Sequence, residues 1–199
     1  MLLKINQLLK SSSLFLLPRR KKFDFFGLIN KYDSRRVSAL GPDIACAEWL
    51  LANNASLKWL GIDSIHHKGV PIPDNGLSKL LKISHIIAND STINEKGLKY
   101  IESLKHLEYV KFNNCTEITD SFLKSLFKIL ENQLKVFKIS NCFFITDDSL
   151  KNAAEMKKLE LLEIRQMPSV KNLDEIKTYL ESHLPKSCEI IVTEFYSRV

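Results

Sequence analysis

One unit of sequence occurs twice in this chain, and no other feature restricts its fold as much. Residues 104–126 read LKHLEYVKFNNCTEITDSFLKSL and residues 134–153 read LKVFKISNCFFITDDSLKNA. In the first copy the shared positions are Val110, Phe112, Cys115, Ile118, Thr119, Asp120 and Leu123. In the second they are Phe137, Ile139, Cys142, Ile145, Thr146, Asp147 and Leu150. The two cysteines lie 27 residues apart. Self-similarity at a fixed period of this size marks stacked units, none of which can bury its apolar face alone.

Two weaker copies flank the pair. Upstream, Ile86, Ala88, Ser91, Asn94 and Leu98 fall in the same frame; downstream, Leu162, Ile164, Met167, Val170 and Leu173 do so. The segment at residues 188–192, CEIIV, offers a last strand. The periods lie in the range of leucine-rich repeats, about 20–29 residues. The expected fold is therefore α/β: a leucine-rich-repeat solenoid of four repeats and a terminal half, over residues 77–199. Each apolar-x-apolar step is a short strand with one side inward. Thr119-Asp120 and Thr146-Asp147 stand where helices should start and read as capping residues. Leu123, Leu126 and Phe127 then share one helix face.

Residues 24–76 have a different character and read as an N-terminal helical cap with a loop. An aromatic-rich helical segment begins at Phe25, Phe26, Leu28 and Ile29. Gly41-Pro42-Asp43 interrupts it, and Pro42 suits the first turn of a second helix that Asn53-Asn54 ends. Ser56 to Ile62 is expected as a strand. Terminal units of a stack need such a cover.

The formal net charge of +6 belongs to the leader. Residues 1–23 hold six basic residues and no acid, and the rest of the chain carries 23 of each sign. A balanced body is not that of a nucleic-acid binder. The leader, with Ser11, Ser12 and Ser13 and apolar residues that could share a helix side, has the composition of a mitochondrial transit peptide. A secretory signal is the rival, with Leu14 to Leu17 as its apolar stretch, but Arg19 to Lys22 follow in place of a small-residue cleavage site.

Catalytic motifs are missing: there is no phosphate-binding glycine loop, no H-E-x-x-H and no G-x-S-x-G. The sequence reads as a non-enzyme. The four cysteines form no C-x-x-C pair, and no histidine completes a zinc spacing. Cys115 and Cys142 read as structural thiols in a buried turn, and Cys46 as core.

The residues that alternate with the inward ones define the opposite side of the strands. There Lys111 and Lys138 fall side by side, and Tyr109, Val136 and Leu161 form an apolar column. With Arg165 beyond them, Tyr109, Lys111, Lys138 and Leu161 are the candidate partner-binding residues, because the bare strand face of a solenoid is commonly its binding surface.

Phe25-Phe26-Gly27, Asp33, Arg35-Arg36, Gly41-Pro42-Asp43 and Ala47-Glu48-Trp49-Leu50-Leu51, followed by the cysteine-bearing repeats, resemble the family of mitochondrial coupling factor B, or ATP synthase subunit s. A sister family, distal membrane-arm assembly component two, shares the pattern. The resemblance implies a peripheral protein on the matrix side of the mitochondrial inner membrane. Its partners would be subunits of the ATP synthase, supporting proton-coupled ATP synthesis, or, in the sister case, of complex I during assembly. It also implies a magnesium ion at the glycine of the G-P-D motif and at a threonine after a proline in the next loop. Gly41 stands at the first place. Asp74 and Asn75 follow Pro73 where the threonine would be, and both supply hard oxygen donors. A reading of another class is a substrate receptor of a ubiquitin ligase behind an F-box-like helical cap, but the expected Leu-Pro start is absent.

Overall fold

The computed structural model describes residues 28–72 and 78–193. The leader, Phe25 to Gly27, and the loop residues Asp74 and Asn75 lie outside them. Helix α1 spans Ser34–Leu40 and α2 Pro42–Ala52, followed by β1 at Ala55–Trp59. Strands β2 (Ile83–Asn89), β3 (Tyr109–Asn113), β4 (Val136–Ser140), β5 (Leu161–Arg165) and β6 (Glu189–Thr193) come next. Between them lie a 3-10 turn at Glu95–Tyr100, helix α3 (Asp120–Leu130), helix α4 (Asp147–Lys151) running into a 3-10 turn, and helix α5 (Leu173–His183). The strands form one open mixed sheet in the order β1 to β6. β1 is antiparallel to β2, and every later neighbour is parallel.

Register follows the repeat without a slip. Val110 sits beside Phe137 and Phe112 beside Ile139, so the repeated positions align across the sheet. These residues are fully or almost fully buried. Phe112 meets Phe122 of α3 edge-to-face at 5.6 Å, and Phe127 of α3 meets Phe137 at 5.0 Å. The helices thus cover one side of the sheet, as connections between neighbouring parallel strands that must return the chain to the same end of the sheet.

Each unit turns its corner in the same way. Asp90, Asn114, Asn141 and Gln166 follow their strands with φ of 51, 52, 53 and 50°. Short Asn and Asp side chains tolerate this left-handed conformation best. The next residue, Ser91, Cys115, Cys142 or Met167, is then turned into the core.

Three sequence expectations change in detail. In the first unit the place of Ile118 is taken by buried Ile93, and Asn94 is the N-cap, its side chain accepting from Lys96 N. In the last, Ile176 rather than Leu173 lies four residues beyond the N-cap, Asn172, and is fully buried. The first strand ends at Trp59, short of Ile62. One residue lost or gained in a turn moves the frame without disturbing the stack, because only the buried side chain must reach its place.

The cap is joined to the first unit by buried polar groups. Asn30 Nδ2 donates to Asn53 Oδ1 and to Thr92 O, both at 2.9 Å. Its Oδ1 accepts from Trp49 Nε1 at 3.0 Å and from Asn94 N at 3.1 Å. Trp49 stacks on Tyr100, with ring centroids 5.5 Å apart.

Candidate functional site

The side of the sheet away from the helices is uncovered among the described residues, and its half-buried and exposed side chains form continuous rows. One row runs from His85 through Tyr109 and Val136 to Leu161. The next runs from Ile87 through Lys111 and Lys138 to Glu163 and Ile191. A third holds Asn89, Asn113, Ser140 and Arg165. The parallel register therefore brings all five sequence-predicted partner-binding residues onto one surface.

Its electrostatics differ from those expected of a basic strip. Lys138 Nζ lies 2.8 Å from Glu163 Oε2, and Arg165 Nε lies 2.6 Å from Glu163 Oε1. One carboxylate is shared by two cations. Burial acts to raise the Glu163 carboxyl, but the Lys138 hydrogen bond and the charges of Lys138 and Arg165 outweigh it, so it titrates below the usual carboxylate range. The same hydrogen bond raises Lys138. Lys111 has no ion pair among the described residues. The strand alternation predicted which side each residue takes, and it carried no information on this neutralisation.

Tyr109 stacks on His85 with centroids 4.8 Å apart and planes 22° from parallel. Burial raises the Tyr109 hydroxyl above its ordinary value. Burial, together with the charge of Lys58, lowers His85 and keeps the ring neutral near pH 7. The face thus carries an aromatic pair continued by an apolar column in one row, and beside it a row in which Lys111 is followed by the neutralised Lys138–Glu163 pair.

Cys115 and Cys142 are fully buried. The Cys115 thiol reaches Ala88 O and Asn113 O at 3.5 Å, and Cys142 reaches Ser140 O at 3.4 Å. Contact between the two thiols, with burial, pushes Cys142 well above the ordinary thiol range. Burial does the same to Cys46. The contact with Cys142 acts the other way on Cys115 and lowers it, but all three thiols are closed off from solvent in the folded chain.

Gly41, with φ of 85°, joins α1 to α2 and lines a cavity of about 300 Å³ with Asp43, Ser78 and Lys82. The carbonyl of Gly41 accepts from Ala45 N at 3.1 Å. Asp43 is buried, with its oxygens engaged by Ile83 N at 2.9 Å and Lys82 Nζ at 3.2 Å. An ammonium already occupies the place of a cation beside that carboxylate. No group of three or more His, Cys, Asp or Glu that could hold a metal ion occurs among the described residues. The other two residues of the expected magnesium site, Asp74 and Asn75, are outside them.

The fold and this face define a class: a mixed α/β protein built from repeated strand–turn–helix units, with one side of its sheet bare. No protein-family model matches the chain. It is 29% identical over 160 residues to the mitochondrial ATP synthase subunit s of Mus musculus, covering 79% of this chain and 80% of that protein. The proteins of the same name from Bos taurus and Homo sapiens match with the same identity and coverage. The chain is a homologue of the ATP synthase subunit s, or coupling factor B, proteins. No helix among the described residues is long and apolar enough to cross a membrane.

Proposed function

We propose that the strand–turn–helix units are leucine-rich repeats forming a short solenoid, and that the chain is a non-catalytic accessory protein of the mitochondrial ATP synthase. It acts peripherally on the matrix side of the inner membrane and supports proton-coupled ATP synthesis. Residues 1–23 act as the transit peptide, residues 24–76 as the cap and residues 77–199 as the repeat domain. The observation that carries this reading is the open sheet face, where Tyr109, Val136, Leu161, Lys111 and the Lys138–Glu163–Arg165 cluster form one surface. The names of the homologues favour the ATP synthase over complex I assembly or a ubiquitin ligase. A magnesium ion at Gly41, Asp74 and Asn75 remains a separate proposal. It is tested by calorimetric titration of the full chain with Mg²⁺.

The physical division of labour is simple. Tyr109, held by His85, and Leu161 supply apolar area with little entropy to lose. Lys111 supplies an unneutralised charge that orients an acidic partner group. The test is binding of the full chain to purified, detergent-solubilised mitochondrial ATP synthase. Tyr109→Ala with Arg165→Ala should weaken binding by about 2 kcal/mol or more if both act as hot spots. Lys111→Glu should slow association most at low ionic strength. A folded variant altered at Tyr109, Lys111, Lys138 and Arg165 that still binds normally overturns the reading.

A further inference from the structure

Two aromatic side chains stand in solvent where the repeat does not require them. Phe143 is 49% and Phe144 60% exposed, in the turn between β4 and α4. The preceding unit has Thr116 and Glu117 at these places, and the following one Pro168 and Ser169. The turn therefore folds without aromatic residues. Its backbone is held on both sides: Ser169 Oγ donates to Phe143 O at 2.6 Å, Phe144 bridges Thr119, and Asp120 holds Thr146. The rings are carried on fixed backbone, so little order is lost when they are buried by a partner.

Two such side chains are too few to hold two copies of the chain together, since stable interfaces remove about 1,200–2,000 Å² from water. Exposed aromatics work as anchors within a larger contact. The adjoining uncovered surface is the open face: β4 ends at Ser140, three residues before Phe143, with Arg165 beside Ser140 in the register. Charge on either side of the pair is of opposite sign, with Glu117 on the preceding turn and Lys171 beyond the following one.

We infer that Phe143 and Phe144 form an aromatic anchor that carries the open-face interface over its edge into an apolar cleft of the protein partner. A cation of the partner faces Glu117 and a carboxylate faces Lys171. This inference rests on the functional reading above, and it adds a second, separable contact of a different kind.

The experiment compares the full chain with F143T/F144E, which installs the residues of the preceding turn, and with F143S/F144S. Binding to purified, detergent-solubilised ATP synthase is measured beside thermal melting and sedimentation velocity. Both variants should melt with the wild type and bind about tenfold or more weakly, as loss of an aromatic hot spot implies. Wild-type binding by both variants, while Y109A/K111E is weakened, overturns this inference alone. A lowered melting temperature in both makes the pair structural and overturns it too. A wild-type dimer that the variants lose assigns the patch to a second copy and overturns the partner stated. If the wild type does not bind the enzyme, the functional reading falls and this inference with it.

Discussion

Asp120 holds the start of the helix in the next unit rather than its own. Its Oδ1 accepts from Thr146 N at 2.8 Å and its Oδ2 from Thr146 Oγ1 at 2.7 Å. One unit later, Asp147 accepts from Lys171 N and Asn172 N at 3.1 and 3.0 Å. Thr119 caps α3 through its own hydroxyl, whereas Thr146, the N-cap of α4, makes no side-chain capping bond and its hydroxyl donates to Asp120 instead. The repeated Thr-Asp pair therefore joins units as well as starting helices.

Asp120→Ala should destabilise the chain by about 1–3 kcal/mol, since it leaves a part-buried N–H and hydroxyl of Thr146 without their acceptor. Asp120→Asn should recover part of this, because its amide oxygen can still accept one bond. Urea denaturation checks both. Equal stability of the wild type and the alanine variant would mean that water replaces the carboxylate.

A second prediction concerns Gly97. A Cβ added there would lie 2.3 Å from Cε2 and Cζ2 of Trp49. Trp49 cannot retreat freely, because its Nε1 is bonded to Asn30. Gly97→Ala should cost about 1–3 kcal/mol, the range for overpacking a core, although alanine is the better helix former. Trp49→Phe should relieve part of that cost in the double variant. A thermal melt of the four-protein cycle measures it.

The thiols should label in a set order. Cys188 is only partly buried, whereas Cys46, Cys115 and Cys142 are buried. In the native chain a thiol reagent should modify Cys188 first and the other three only as fast as the fold opens, with all four modified in denaturant. Cys115→Ala and Cys142→Ala should each destabilise by about 1 kcal/mol. Rapid native labelling of either residue contradicts their packing role.

The Glu163 cluster predicts a pH dependence of defined sign. Its folded carboxyl is depressed below the ordinary 4.5, so its contribution is present above that value and lost as pH falls through the folded value. Lys138 is raised above the ordinary 10.5, so its contribution is present below that value and lost as pH rises through the folded one. The stability difference between wild type and Glu163→Gln should be flat across neutral pH and shrink in acid. Denaturation series at several pH values test this. A difference that grows in acid would reverse the assignment.

Alternation such as Val110-x-Phe112, the spacing of Cys115 and Cys142, and the helix break at Gly41-Pro42 were readable along the chain. These are local requirements: a half-buried strand needs period two, identical stacked units need the same residue at the same depth, and proline suits a first turn. The side on which Tyr109, Lys111 and Lys138 emerge followed from that period. Asn immediately before both cysteines was a readable signal of the left-handed turn that had no meaning until φ was known. Other features had no local signature. Asn30 joins Asn53 and Asn94 across 23 and 64 residues. Gly97 is small because Trp49 packs against it. Lys138 looks like a free cation in sequence, and only strand register puts Glu163 beside it, 25 residues away, with Arg165 on the same carboxylate. Packing across units decided these contacts, because hydrogen bonds and ion pairs are set by distance in space, which a one-dimensional period fixes only for the residues that repeat.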